Sequence, residues 1–379
     1  MNILYITTFL QGGAGKILVD LAIVAMQQGH SVCVACTKNS VDGYGNYPEH
    51  LETLRHNHIT VIFLDSTFSR ESEKNQQASR TLHSSMIKQS PNLIHSNSSI
   101  PSMVALDATS RLRKKIPIIQ TMQGWGIFKT QEQERQDIEI LNRVDHVVSI
   151  SKASENLLLE KGLSNSNRDV IYNGVKTSKI NLDKPKDKHL LKIKSFKKDG
   201  KKIIGVIGTI DPRKNQSLVL EALSLLPVNL EFHAVFVGES ENLTAYRETA
   251  RTLNLSSKVT FTGYKADARS YIKECDLLVS ASLSEGAAPI VILEAFVEKT
   301  LVLASDMPEN MEAIEDGHNG FLFRSGNAEN LSEKINISLS SPIINNIINK
   351  AHDLFKSNYT LDSTIQNYMS LYSKMLESK

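Results

Sequence analysis

Strand signals and helix signals alternate from the second residue onward, and no other feature of the chain constrains its fold as tightly. Residues 2–6 form a short apolar run of strand length. A glycine-rich turn follows at 11–16, then an apolar-periodic stretch from about 17 to 28, with Gly29 placed to end a helix. Runs at 32–35, 61–64, 93–95, 118–121 and 146–150 continue the series, with helical stretches between them. The pattern breaks across the Lys-rich segment 176–202, which reads as a solvated linker or a helix beside one. It resumes at 202–208, 231–237, 258–262, 276–280 and 301–304. Strands that alternate with helices imply parallel sheets covered on both faces, so two doubly wound α/β domains are expected. The boundaries read as 1–178, a Lys-rich linker at 179–201, 202–360, and a last helix within 361–379 that packs back toward the first domain. Ile365, Tyr368, Met369, Leu371, Tyr372 and Met375 give that helix its apolar stripe.

Composition narrows the class. The 379 residues are 41% apolar and 22% charged, enough for two cores in a globular protein. A net charge of +2, with no basic stripe or base-stacking aromatic cluster, argues against nucleic acid as a partner. Three cysteines cannot make a disulfide framework, and residues 1–9 carry no basic n-region, so a cytoplasmic setting is expected. Cys33 and Cys36 spell C-x-x-C, but within a strand residues three apart point to opposite faces. No apolar run approaches the roughly 20 residues needed to span a bilayer, which leaves at most a weak peripheral contact with the inner face of a membrane.

Two glycine loops are the candidate ligand sites. Gly12 to Lys16 is not a P-loop, because that spacing needs glycine where Leu10 stands and Ser or Thr where Ile17 stands. A glycine-rich turn after a first strand still lets a ligand come close to the backbone. The second loop is more telling. The strand at 276–280 leads through Ser284, Glu285, Gly286, Ala287 and Ala288 to Pro289, which suits the first turn of a helix bearing Ile290 to Phe296. Unpaired N–H groups and the positive dipole end at such a helix start favour a phosphate or diphosphate. Glu294, one turn further on, could then accept from ribose hydroxyls.

In order along the chain, these motifs resemble those of the family 4 retaining glycosyltransferases with the GT-B fold. The Gly12-Gly13-Ala14 loop, the segment Val170 to Val175 containing Asn173-Gly174-Val175, and the loop Gly208 to Gln216 are each similar to family motifs. So are residues 259–264 ending in Tyr264, the two glutamates Glu285 and Glu294, and the loop 315–322. The resemblance covers nearly the whole chain. It implies two Rossmann-like domains facing a cleft, a nucleotide-sugar donor (UDP- or GDP-sugar) bound mainly by the second, and an acceptor hydroxyl held by the first. It also implies transfer with retention and no metal requirement. Lys214 aligns with the family's diphosphate lysine, Glu285 would hold donor-sugar hydroxyls, and Glu294 the ribose. Gly12, Gly13, Gly208, Thr209, Tyr264, Gly286, Ala287 and Ala288 complete the expected donor surface.

Three positions depart from the family pattern. Thr209 stands where an arginine is usual, and Arg213 either replaces its charge or faces solvent. Gln123 stands where a histidine is frequent; an amide can hydrogen-bond a sugar hydroxyl but cannot take up a proton there. Eight residues rather than seven separate Glu285 from Glu294, so a bulge is needed to bring Glu285 to the site. These departures leave two alternatives: a nucleotide-sugar epimerase or hydrolase of the same fold, or a binding protein without turnover. On the acceptor side, His95, Asn97, Gln123 and Trp125 follow strand ends, where ligands of parallel sheets bind, and Asn173 joins them. Trp125 reads either as a stacking face for a sugar or as a packing residue. The basic cluster Arg111, Arg113, Lys114 and Lys115 reads either as a solvated helix end or as a contact for an anionic lipid or phosphorylated acceptor. Neither the acceptor nor the oligomeric state follows from the sequence.

Overall fold

A computed structural model describes residues 1–41, 44–126, 129–177 and 187–377. The chain divides into two compact units, Met1–Gly174 with the chain from Leu361 onward, and Val175–Thr360. Part of the Lys-rich segment, residues 178–186, lies outside the described residues.

The first unit is built on a seven-stranded sheet: β1 (Asn2–Thr7), β2 (Ser31–Thr37), β3 (Thr60–Leu64), β4 (Leu93–Asn97), β5 (Ile118–Met122), β6 (His146–Ser149) and β7 (Arg168–Val170). Their order across the sheet is β3-β2-β1-β4-β5-β6-β7, every pairing parallel. The helix Gly12–Gln27 begins five residues earlier than its apolar period suggests. Gly12 and Gly13 therefore form its first turn and not a free loop. Gly15 explains the glycine content, since a Cβ there would lie 2.7 Å from the backbone carbon of Leu10. Cys33 and Cys36 are buried in β2, and burial pushes both thiols up to about 12, which suits inert packing residues.

The second unit carries β8 (Lys202–Ile207), β9 (Phe232–Val237), β10 (Val259–Phe261), β11 (Leu277–Ser280), β12 (Leu301–Ser305) and β13 (Phe321–Phe323), in the order β10-β9-β8-β11-β12-β13, again all parallel. The stretch read from sequence as a solvated linker or a helix beside one contains the helix Lys188–Lys198, which is part of this unit. Among its lysines, Leu190, Ile193 and Phe196 sit on one face and pack with Ile203, Val235 and Val237.

The last helix, Leu361–Glu377, belongs to the first unit and buries Leu361, Thr364, Ile365, Tyr368, Leu371 and Tyr372. Its tyrosines carry the contact. The Tyr372 hydroxyl is 2.5 Å from His95 Nδ1, and the Tyr368 hydroxyl is 2.9 Å from Thr121 Oγ1, which in turn lies 2.7 Å from His95 Nε2. Burial drives the His95 imidazole down to about 3, so it stays neutral in the folded protein. An unfolded chain takes a proton there near pH 6.5, so below that pH the unfolded state binds more protons and stability falls. Lowering the pH from 7.5 to 5 should cost the first unit about 2 kcal/mol through His95. Urea titrations of wild type and His95→Gln at both pH values check this: the variant's pH dependence should be smaller by that amount, and parallel curves would contradict it.

Candidate functional site

Because every strand of the second unit runs the same way, the loops after β8, β9 and β10 meet at one edge of the sheet. The first two open on Gly208 and Gly238, and the third reaches Gly263 after Thr262. Gly208 donates its N–H to Val237 at 2.9 Å and Gly238 donates to Gly263 at 3.1 Å. The approach is close enough that a Cβ on Gly238 would stand 1.9 Å from the Gly208 carbonyl oxygen. Gly208 itself has φ of +141°, and a Cβ added there would lie 3.8 Å from Lys214 Cε. The following loop is pinned from both ends. Buried Gln216 accepts from Asp211 N–H at 3.2 Å and donates to the Thr209 carbonyl at 2.8 Å, and Asp211 Oδ1 accepts from Lys214 N–H at 2.9 Å. Gly238→Ala should cost at least about 2 kcal/mol, because backbone must move to admit the methyl group. Urea titration checks this, and wild-type stability in that variant would contradict it.

This pinned loop presents Arg213 and Lys214 to the loop after β11. Lys214 Nζ and Arg213 Nη1 both contact the same Glu285 carboxylate oxygen, the arginine at 3.3 Å. Arg213 also donates to the Ser284 carbonyl at 3.1 Å, and its own carbonyl accepts from Leu283 N–H at 2.8 Å. Two backbone-anchored cations thus converge on one carboxylate that is only 12% exposed. The eight-residue spacing does not carry Glu285 away from Lys214, and Arg213 stands beside the lysine. Thr209 is exposed. Gly286, Ala287 and Ala288 lead to Pro289, which caps the helix Ile290–Glu298 as its N-cap and not as its first helical residue. Glu294 is buried on the second turn of that helix, and Tyr264 is 43% exposed beyond Gly263.

Sequence reasoning missed Glu309, in the short helix Pro308–Met311 after β12. Burial, with the charge of Glu285, holds its carboxyl above the usual carboxylate range. Its place just past a strand's carboxyl end was the available signal. Among the described residues, no group of three or more His, Cys, Asp or Glu side chains could hold a metal ion.

In the first unit the expected acceptor residues separate. Gln123 and Asn173 come together, with Asn173 Nδ2 donating to Gln123 Oε1 at 3.0 Å. Asn173 Oδ1 is buried without a hydrogen-bond partner. His95 does not face an acceptor: it is 1% exposed beneath Tyr368 and Tyr372, because the last helix covers it. Asn97 is buried at the end of β4, paired in register with Thr121. Trp125 is a packing residue, 9% exposed, with Nε1 donating to Glu134 at 2.9 Å and Lys129 Nζ 3.9 Å over its ring. In the basic cluster, Arg111 pairs with Asp107 and Lys115 with Asp145.

Residues 11–179 match the family model for Glycosyltransferase Family 4, and residues 187–357 match that for Glycosyl transferases group 1. The chain belongs to the family 4, group 1 glycosyltransferases. Its relatives in that family include glycosyltransferase MJ1069 of Methanocaldococcus jannaschii, 27% identical over 62% of this chain and 60% of that protein. The poly(ribitol-phosphate) alpha-N-acetylglucosaminyltransferase of Staphylococcus aureus is 24% identical over 65% of this chain and 47% of its own length. The chain thus spans less than two thirds of both. The fold is that of GT-B glycosyltransferases. Anabaena HepE, solved with UDP, superposes with a TM-score of 0.81 at 22% identity, covering 99% of this chain and 100% of HepE. A glycosyltransferase from Rickettsia africae gives 0.82 at 20% identity, covering 100% and 99%.

Proposed function

We propose that the protein transfers a sugar, with retention at the anomeric carbon, from a nucleoside-diphosphate sugar to a hydroxyl of a small molecule or glycan. The convergence of Arg213 and Lys214 on Glu285, ahead of the helix Ile290–Glu298, carries this reading. Departure of a nucleoside diphosphate builds negative charge on its oxygens. Fixed cations and oriented N–H groups lower that barrier because they interact more strongly with the leaving group than with the intact donor. In the ligand-free protein Glu285 supplies the negative charge between the two cations. A diphosphate that engages Arg213 and Lys214 takes over that part, which frees the carboxylate to accept from donor-sugar hydroxyls. Glu294 then holds the ribose, with Tyr264 toward the base and the backbone of Gly208, Gly286, Ala287 and Ala288 lining the diphosphate. The acceptor is held by the first unit, where the Asn173 amide orients Gln123 toward a sugar hydroxyl.

HepE, a structural neighbour, has been solved with UDP, with UDP and glucose, and with UDP-glucose, which supports a UDP-sugar as the first donor to test. Lys214→Ala should lower turnover by about 100-fold, the scale of losing one charge-stabilising group, while circular dichroism stays that of the wild type. Release of nucleoside diphosphate from the donor, followed with and without acceptor, provides the rate. Near wild-type turnover in the variant would remove Lys214 from the mechanism, and no release by the wild type would leave a binding protein.

A further inference from the structure

We infer that Tyr44 and Phe68, with Phe9 beneath them, form a stacking subsite for a carbohydrate ring of the acceptor. The inference rests on the glycosyltransferase reading and adds a place and a chemistry for the acceptor. The three rings come from the loops after β2, β3 and β1, the carboxyl edge of the first sheet, where doubly wound folds take their ligands. Tyr44 and Phe68 have ring centroids 5.0 Å apart, Phe9 and Phe68 5.4 Å, and Phe9 stacks toward Tyr44 at 6.4 Å. Phe9 is buried, whereas Tyr44 is 53% and Phe68 38% exposed.

The described residues around these rings are tied down. Thr67, fully buried, bonds the Thr7 carbonyl at 2.7 Å and the Thr37 hydroxyl at 2.8 Å, joining the ends of β1 and β2 to the loop after β3. Ser66 Oγ accepts from Phe68 N–H at 3.2 Å and Ser69 N–H at 2.9 Å. Asn46 donates to the Thr37 carbonyl and accepts from Leu10 N–H, both at 2.8 Å. Tyr44 and Val41 exchange backbone hydrogen bonds at 2.8 and 2.9 Å. A rigid scaffold that places two aromatic rings in water at a ligand-binding edge marks a recognition surface. The negative face of an aromatic ring suits the C–H face of a pyranose, and the Tyr44 hydroxyl adds a hydrogen-bonding group beside it. The charges of the described residues in the two exposed loops argue against an anionic bilayer, since Lys38 and Arg70 are matched in number by Asp65 and Glu71.

Saturation-transfer NMR with methyl glycosides of glucose, galactose, mannose and N-acetylglucosamine tests the subsite. Transfer to at least one glycoside is expected with the wild type. It should fall roughly fivefold or more in Tyr44→Ala and in Phe68→Ala, and survive in Tyr44→Phe. Should an alanine variant lose its cooperative melt, Phe68→Leu keeps the apolar bulk without the ring face and should show the same loss. No transfer from the wild type to any of the four, or undiminished transfer in the variants, overturns the subsite. So does binding to phosphatidylglycerol vesicles that these variants abolish, which would assign the rings to a lipid surface. A thermal shift with UDP and GDP on the same samples reports the donor reading separately, so a failed subsite and a failed donor site give different results.

Discussion

Parallel pairing is the constraint on which everything else depends. In both sheets each strand pairs with its neighbours in the same direction, so each return to the sheet runs through a helix and each strand ends at the same edge. Ligands of such sheets bind outside the carboxyl ends of the strands, and the candidate site residues collect in the loops there. In the second unit this brings the backbones after β8, β9 and β10 together at Gly208, Gly238 and Gly263, and sets the loop after β8 against that after β11. In the first unit it brings Phe9, Tyr44 and Phe68 together from three loops, and Gln123 to Asn173.

The electrostatics of the second unit follow from that placement. Arg213 and Lys214 are adjacent in sequence, and both reach Glu285, at 35%, 17% and 12% side-chain exposure respectively. Partly desolvated like charges repel one another more than they would in water, so the shared carboxylate stabilises an arrangement that would otherwise spread apart. Asp211, 3.9 Å from Arg213, adds a second carboxylate, so the formal charges of these four side chains cancel in the ligand-free protein. Burial and the charge of Glu285 hold the nearby Glu309 carboxyl above the usual carboxylate range. On the proposed reading a donor diphosphate displaces the Glu285 and Asp211 carboxylates from the two cations, and the hydrogen bonds that fix Arg213, Lys214 and the Gln216 side chain let it do so without rebuilding the loop.

Much of this was legible in the sequence because its signals are local. Apolar runs of strand length separated by helical periods give the doubly wound sheets, and glycines after strand ends give the ligand edges. The misses are non-local. His95 reads as an acceptor residue because it comes at a strand end, but its cover comes from Tyr368 and Tyr372, more than 270 residues later in the chain. Trp125 is claimed by Glu134 and Lys129, whose approach depends on the helix Gln131–Leu141. The strands β7 and β13 are three residues long, too short for any period to show. Within the Lys-rich stretch, three apolar residues on one face were enough to seat a helix despite the surrounding charge.

On the proposed function, Arg213 and Lys214, held by Glu285 ahead of the helix Ile290–Glu298, receive the diphosphate of the donor. Calorimetric titration of UDP and GDP into the wild type and into Lys214→Ala tests it most directly. Saturable binding of at least one nucleotide at one site per chain is expected, weakened about tenfold or more in the variant, as for the loss of a charge-assisted contact of roughly 1.5 kcal/mol or more. Absence of binding by the wild type, or equal affinity in the two proteins, would contradict it.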